Sequence, residues 1–146
     1  MYQLDEKDAA ILDVLKQNSS LSIQKIAKRT GIPVATVHNR IKKLKIEDII
    51  QAYTIRINQA KLGKKLVAHI LIKAMPQVDA TTLLRMIARH DFVEAGSALA
   101  GEYDVLLKVR VADVEELEKS VLRQIRSYKE VYQTQTLIAF ENIVKY

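Results

Sequence analysis

Four side chains within five positions, Ala35, Thr36, His38 and Asn39, are of the types that read the edges of base pairs. A carboxamide such as Asn39 can donate to and accept from an adenine edge, and the methyls of Ala35 and Thr36 can touch thymine. Lys25, Lys28, Arg29, Arg40, Lys42 and Lys43 surround them, cations that suit phosphate oxygens and make affinity depend on salt. From Gln24 to Lys45 there are seven basic residues and no acidic one. At about 100° per residue, Ile41 and Leu44 share the side of Val37. Ala35, Asn39, Lys42 and Lys43 then lie opposite, with Thr36 and His38 flanking them. Arg40 falls near the edge of the apolar seam, where it fits either a phosphate clamp or an ion pair within the domain.

Such side chains need a rigid carrier, and the surrounding periodicity supplies one. Asp5 is a good N-cap for a helix with the stripe Ile11, Leu12 and Leu15. Ser22 can cap a second helix whose inward residues are Ile23, Ile26 and Ala27. Gly31 suits the left-handed residue that ends it, and Pro33 pre-sets the start of a third helix with the seam Val37, Ile41 and Leu44. Two helices joined by a tight turn containing glycine have the form of a helix-turn-helix, whose second helix enters the DNA major groove.

After Ile46 the period changes. Ile49 to Ile57 alternates and is rich in β-branched residues, which predicts a strand, and Asn58 to Lys65 reads as a linker. Strands are then expected over 66–75, 92–99, 103–111 and 131–140, with helices over 79–90 and 113–127. This order, βαββαβ, is the ferredoxin-like split arrangement. The fold class is therefore α+β: a three-helix (winged) helix-turn-helix domain over 1–48, a linker strand and hinge over 49–64, and a βαββαβ domain over 65–146. In that architecture both helices cover one face of the sheet. The strand over 66–75 is apolar on its second face too (Val67, Leu71, Met75), with Leu106 and either Leu137 or Ile138 adding to it. A sheet apolar on both sides calls for a second cover, and self-association supplies it economically.

Composition narrows the classes. The 146 residues are 49% hydrophobic and 27% charged, with a net charge of +6 and no cysteine. That is a folded, basic protein without disulfides or Cys-ligated zinc. The polar, acidic N-terminus does not read as a signal peptide, and no apolar run is long enough for a membrane span. A cytoplasmic protein without membrane partners is expected.

Several short motifs carry a resemblance. In the first half they are Leu4-Asp5, Asp8, Ile11-Leu12, Leu15, Ile26-Ala27, Gly31, Val37, Arg40-Ile41 and Leu44, continuing through Ile49-Ile50, Tyr53, Ile57-Asn58 and Leu62-Gly63. In the second half they are Ala100-Gly101-Glu102-Tyr103-Asp104 and Thr134-Gln135-Thr136-Leu137. In this order and spacing the chain resembles the Lrp/AsnC family, the feast/famine regulatory proteins, over essentially its whole length. The resemblance implies a transcription regulator that binds double-stranded DNA and has a C-terminal domain of the RAM type. It implies homodimers through the C-terminal sheets, assembling further into tetramers or octamers, and a small amino acid as effector between dimers. By analogy Gly101, Glu102, Tyr103, Asp104, Thr134 and Thr136 form the effector site. Backbone N–H groups at a glycine turn suit an α-carboxylate, and Asp104 suits an α-ammonium. The structural alternative is that Gly101 permits a tight turn and Asp104 caps it. Three positions depart from the family pattern: Pro33 for a capping Ser, Ser20 for Arg, and Asp48 for Gly.

Other classes find less support. His38, His69 and His90 fall on three different elements without metal spacing, and no nucleophile motif or phosphate loop is present, so neither an enzyme, a metal site nor a cofactor is expected. An RNA-binding sheet needs aromatics on its open face, whereas the strand over 103–111 offers Asp104, Leu106, Lys108 and Arg110. An amino-acid-sensing assembly module with little DNA reading of its own is the remaining alternative.

Overall fold

The computed structural model describes residues 2–143. They form two compact units, divided after Arg56.

The N-terminal unit holds three helices: α1 (Glu6–Gln17), α2 (Ile23–Thr30) and α3 (Val34–Ile46). Each begins or ends where local chemistry dictates. Asp5 caps α1 by accepting the Asp8 amide (2.9 Å), while the Asp8 side chain reaches back to the Asp5 amide, a reciprocal capping box. Ser22 caps α2, and Gly31 ends it at φ 70°, a left-handed conformation cheap only for glycine. Pro33 opens α3 without any side-chain cap. Ile11, Leu15, Ile26, Ala27, Ile32, Val37 and Ile41 pack into one core. Asp48, the position where the family pattern has glycine, is at φ 56°. Aspartate is among the few L-residues that tolerate this region, which explains how the substitution is accommodated.

The strand expected over residues 49–57 does not form, and neither does a wing. A strand exists only as one member of a hydrogen-bonded ladder, and among the described residues this segment has no ladder partner. Its alternation instead leaves Tyr53, Ile55 and Ile57 exposed, Ile55 at 79%. A short 3₁₀ turn, Gln59–Leu62, follows; Asn58 caps it and Gly63 closes it at φ 88°.

The C-terminal unit is built from β1 (Leu66–Ala74), α4 (Ala80–Ile87), β2 (Val93–Ala98), β3 (Val105–Val111), a helix α5 and β4 (Val131–Ala139). Helix α5 runs through Val114–Glu116, a π-helical stretch Leu117–Leu122, and Arg123–Arg126. The four strands form one antiparallel sheet in the order β2-β3-β1-β4. Asp79 and Asp113 cap the two helices through the amides of Thr82 and Glu116. Ala68, Ile70 and Ile72 of β1 and Val105, Leu107 and Val109 of β3 face Leu83 and Ile87 of α4 and Leu117, Val121 and Ile125 of α5 in a fully apolar core.

Register assigns the second face of the sheet. It carries Val67, His69, Leu71 and Lys73 of β1, opposite Arg110, Lys108 and Leu106 of β3 and Leu137, Gln135 and Gln133 of β4. Leu137 therefore belongs to the uncovered face, whereas Ile138, opposite Ala68, turns to the helices. On this face Glu94 accepts from both Lys108 (3.3 Å) and Arg110. Partial burial raises the Glu94 pKa, but the Arg110 and Lys108 contacts outweigh it and hold the group below its ordinary value.

Candidate nucleic-acid interface and effector turn

Helix α3 buries Val37, Ile41 and Leu44, so the chain has no freedom in which face it presents. Ala35, His38, Asn39, Lys42 and Lys43 are all exposed, and Thr36 is half-buried beside them. Lys25, Lys28 and Arg29 are exposed on α2. Val34, at the first position of α3, is 46% exposed.

Arg40 differs from this group. Its Nη1 lies 2.6 Å from Asp5 Oδ2 and 2.8 Å from Asp8 Oδ1, and the Asp8 side chain is only 2% exposed. Of the two roles open to Arg40 at the edge of the seam, the ion pair is the one formed, and its expected place among the phosphate contacts is withdrawn. The guanidinium is needed where it is, because a buried carboxylate without a partner is costly. The amide of Asp8 and then Arg40 hold the Asp5 carboxyl below the usual carboxylate range, and the two carboxylates raise Arg40. A group whose folded pKa is lowered contributes stability above its unfolded pKa, and that contribution disappears as pH falls through the folded value. The melting midpoint of the N-terminal domain should thus be insensitive to Asp5 from neutrality to the ordinary carboxylate range and drop below it. Circular-dichroism melts of Asp5→Asn should show a shallower acid limb; an identical limb would remove Asp5 from this account.

In the C-terminal unit, the turn before β3 is tied to the sheet. The Asp104 carboxylate accepts the Ala74 amide (2.7 Å), its amide donates to the Ile72 carbonyl (2.9 Å), and its carbonyl accepts from Leu99 (2.8 Å). Asp104 thus does what a turn cap does, with one carboxylate oxygen engaged. Tyr103 Oη donates to Gln135 Oε1 (2.8 Å) across 32 positions of sequence. Gly101 is exposed, has no positive φ, and a Cβ there would meet nothing within 4 Å. The tight-turn reading of Gly101 therefore fails: nothing in its own chain requires glycine there. Thr134 and Thr136 pair with Ile72 and Ile70 and so lie on the helix-covered face, opposite to Gln135. Thr134 Oγ1 accepts from Arg126 Nε (3.1 Å), and the buried Thr136 Oγ1 has no partner among the described residues. The turn is brought to Gln135 rather than onto the two threonines.

A family model of the AsnC-type helix-turn-helix domain matches residues 4–45, and one of the Lrp/AsnC ligand binding domain matches residues 67–146. The chain belongs to the Lrp/AsnC family. An uncharacterized HTH-type transcriptional regulator of Pyrococcus furiosus is 40% identical over 142 residues, covering 96% of this chain and 95% of the relative. The structure of E. coli AsnC superposes with a TM-score of 0.89 at 26% identity, covering 99% of this chain and 97% of that one. The feast or famine regulatory protein of M. tuberculosis, in complex with L-methionine, superposes with a TM-score of 0.86 at 29% identity, over 98% and 96% of the two chains. This Lrp/AsnC protein is a helix-turn-helix transcriptional regulator with a ligand-binding domain.

Two parts of these sites escape a linear reading. Asp8 sits on the stripe of Ile11 and Leu15, three positions before Ile11, and a carboxylate at that place, with Arg40 at the edge of the α3 seam, is the signal the sequence offers. Gln135 and Arg126 carry no comparable sign, because the register that brings them to Tyr103 and Thr134 is a tertiary property.

Proposed function

We infer that this regulator reads duplex DNA through Ala35, Thr36, His38 and Asn39, anchors on phosphate through Lys25, Lys28, Arg29, Lys42 and Lys43, and acts in the cytoplasm as a homo-oligomer. The observation that carries this is α3 itself, whose seam is buried while its opposite, cationic face is exposed. Two such helices related by a two-fold axis reach successive major grooves about 34 Å apart. The second face of the sheet, where Leu71, Leu106 and Leu137 stand among polar and charged side chains, is the dimerisation surface in this reading. Dimers assemble further into tetramers or octamers. The domain limits follow function: DNA reading in residues 1–48, a hinge in 49–64, and assembly with effector binding in 65–146.

The effector is a small amino acid held at the turn Gly101, Glu102, Tyr103 and Asp104, beside Gln135 of β4. Support comes from the open backbone at Gly101 and the L-methionine complex of the M. tuberculosis relative. Its chemistry is binding and release, with no bond made or broken. Effector binding that shifts the assembly state alters which DNA sites are spanned together; a coupling of about 1–3 kcal/mol suffices.

Fluorescence-anisotropy titration against duplex DNA, single-stranded DNA and RNA tests the first half. Duplex should bind tightest. Lys42→Ala should weaken binding on every sequence and lower the salt slope by about one unit. Asn39→Ala should instead cost about 1–3 kcal/mol at one base pair and relax the preference there. An Asn39→Ala protein with undiminished preference would take that side chain out of the reading set. For the second half, sedimentation and DNA affinity are measured with each amino acid in turn. Indifference of both to all of them sinks the effector assignment.

A further inference from the structure

The segment ahead of α1 was not among the residues expected to meet DNA, yet it runs beside the recognition helix. Tyr2 Oη donates to Asp8 Oδ2 (3.0 Å), and Lys43 Nζ stands 4.9 Å from the centre of the Tyr2 ring. Tyr2, Gln3 and Asp5 form one wall, and Thr36, Asn39 and Lys43 the other, of a concavity of about 330 Å³. Two candidate base-reading side chains and one candidate phosphate contact thus share a single hollow with residues that precede the first helix.

Resting on the DNA reading above, we propose that residues 2–5 are a strap that holds one strand's phosphate backbone against the recognition helix. Gln3 and Lys43 contact phosphate from opposite walls, and the Tyr2 ring fixes where Lys43 points. Amide and ammonium groups are among those that hold phosphate, and Gln3 is exposed. Lys43 lies one helical turn beyond Asn39, so a backbone seated here flanks the base that Asn39 faces. Asp5 is the apparent objection, since a half-exposed carboxylate in a phosphate-facing wall repels its ligand. Arg40 and Lys43 answer it: one guanidinium binds both Asp5 and Asp8, and with the Lys43 ammonium the two carboxylates of the hollow face two cations. A cation over an aromatic face loses little of its charge to the ring, which positions Lys43 without neutralising it.

The test titrates the full-length protein against its preferred duplex, selected from random oligonucleotides, and against a scrambled duplex. Gln3→Ala, on an exposed side chain, should weaken both by about two- to tenfold. Tyr2→Ala should weaken both by about two- to fivefold, whereas Tyr2→Phe keeps the ring and should bind as the parent does. Asp5→Asn keeps a good helix cap but removes a negative charge, so it should tighten both several-fold. If Lys42→Ala weakens binding while Gln3→Ala and Tyr2→Ala match the parent, the strap is refuted and the DNA reading survives. Losses confined to the preferred duplex overturn the phosphate assignment, because the strap then reads bases. A parent that binds neither duplex takes down both.

Discussion

Leu71→Asp should convert the protein into monomers of 16.6 kDa, seen as a single mass in light scattering or sedimentation. Leu71 stands on the central strand β1, between Leu106 of β3 and Gln135 of β4, on the face the helices leave uncovered. Leu106 and the 48% exposed Leu137 supply the rest of its apolar surface, and the Glu94–Lys108–Arg110 cluster lies to one side. Two copies meeting face to face across a two-fold axis bring the two substituted positions close together, so each introduced carboxylate loses water and faces its like. Desolvation of unpaired charge at that scale weakens association by about a hundredfold or more. The domain itself survives, because its core lies on the other face, among Ile70, Ile72, Leu107 and Ile125. A parent protein already monomeric at micromolar concentration, or a Leu71→Asp protein with unchanged mass, would refute this face as the assembly surface.

The second large effect is on folding. Ile11→Ala should destabilise the N-terminal domain by about 2–5 kcal/mol, the sum of lost burial and the cavity left behind. Ile11 is completely buried among Leu15, Ile26, Val37 and Ile41, in a core supplied by three short helices. A domain of this size holds only a few kcal/mol in reserve, so the loss takes most of it. Ile11 lies in the core rather than on the α3 face that carries Asn39 and Lys42, so weakened DNA binding would report stability alone. Denaturant unfolding followed by circular dichroism should show an early transition for the helical part, while the sheet unfolds as in the parent. Saturating duplex should recover part of the loss by mass action. A single unshifted transition would mean that the helical core is more tolerant than its packing implies.

Much of this architecture is written in short-range pattern. Asp5, Ser22, Asp79 and Asp113 cap helices because a side-chain oxygen three positions ahead of an amide satisfies a donor the helix cannot. Val37, Ile41 and Leu44 fix the exposed face of α3 through periodicity alone, and alternation in β3 separates Val105, Leu107 and Val109 from Leu106, Lys108 and Arg110. The βαββαβ order and the resemblance carried by Gly31 and the Gly101–Asp104 turn needed nothing else.

What local pattern could not decide was every feature with two distant ends. Residues 49–57 have the composition of a strand, yet pairing needs a second chain segment, and composition does not say whether one is at hand. Arg40 had two acceptable fates, and only the approach of α1 to α3 brought Asp5 and Asp8 within reach. Asp104 suited a ligand's ammonium until the Ala74 amide, 30 positions away, occupied one of its oxygens, and Gln135 entered the effector turn only through register. Helical and strand periods are set by neighbours along the chain, so sequence determined the elements and their faces. Hydrogen bonds and ion pairs between elements depend on which groups meet in space, and tertiary structure alone decided those.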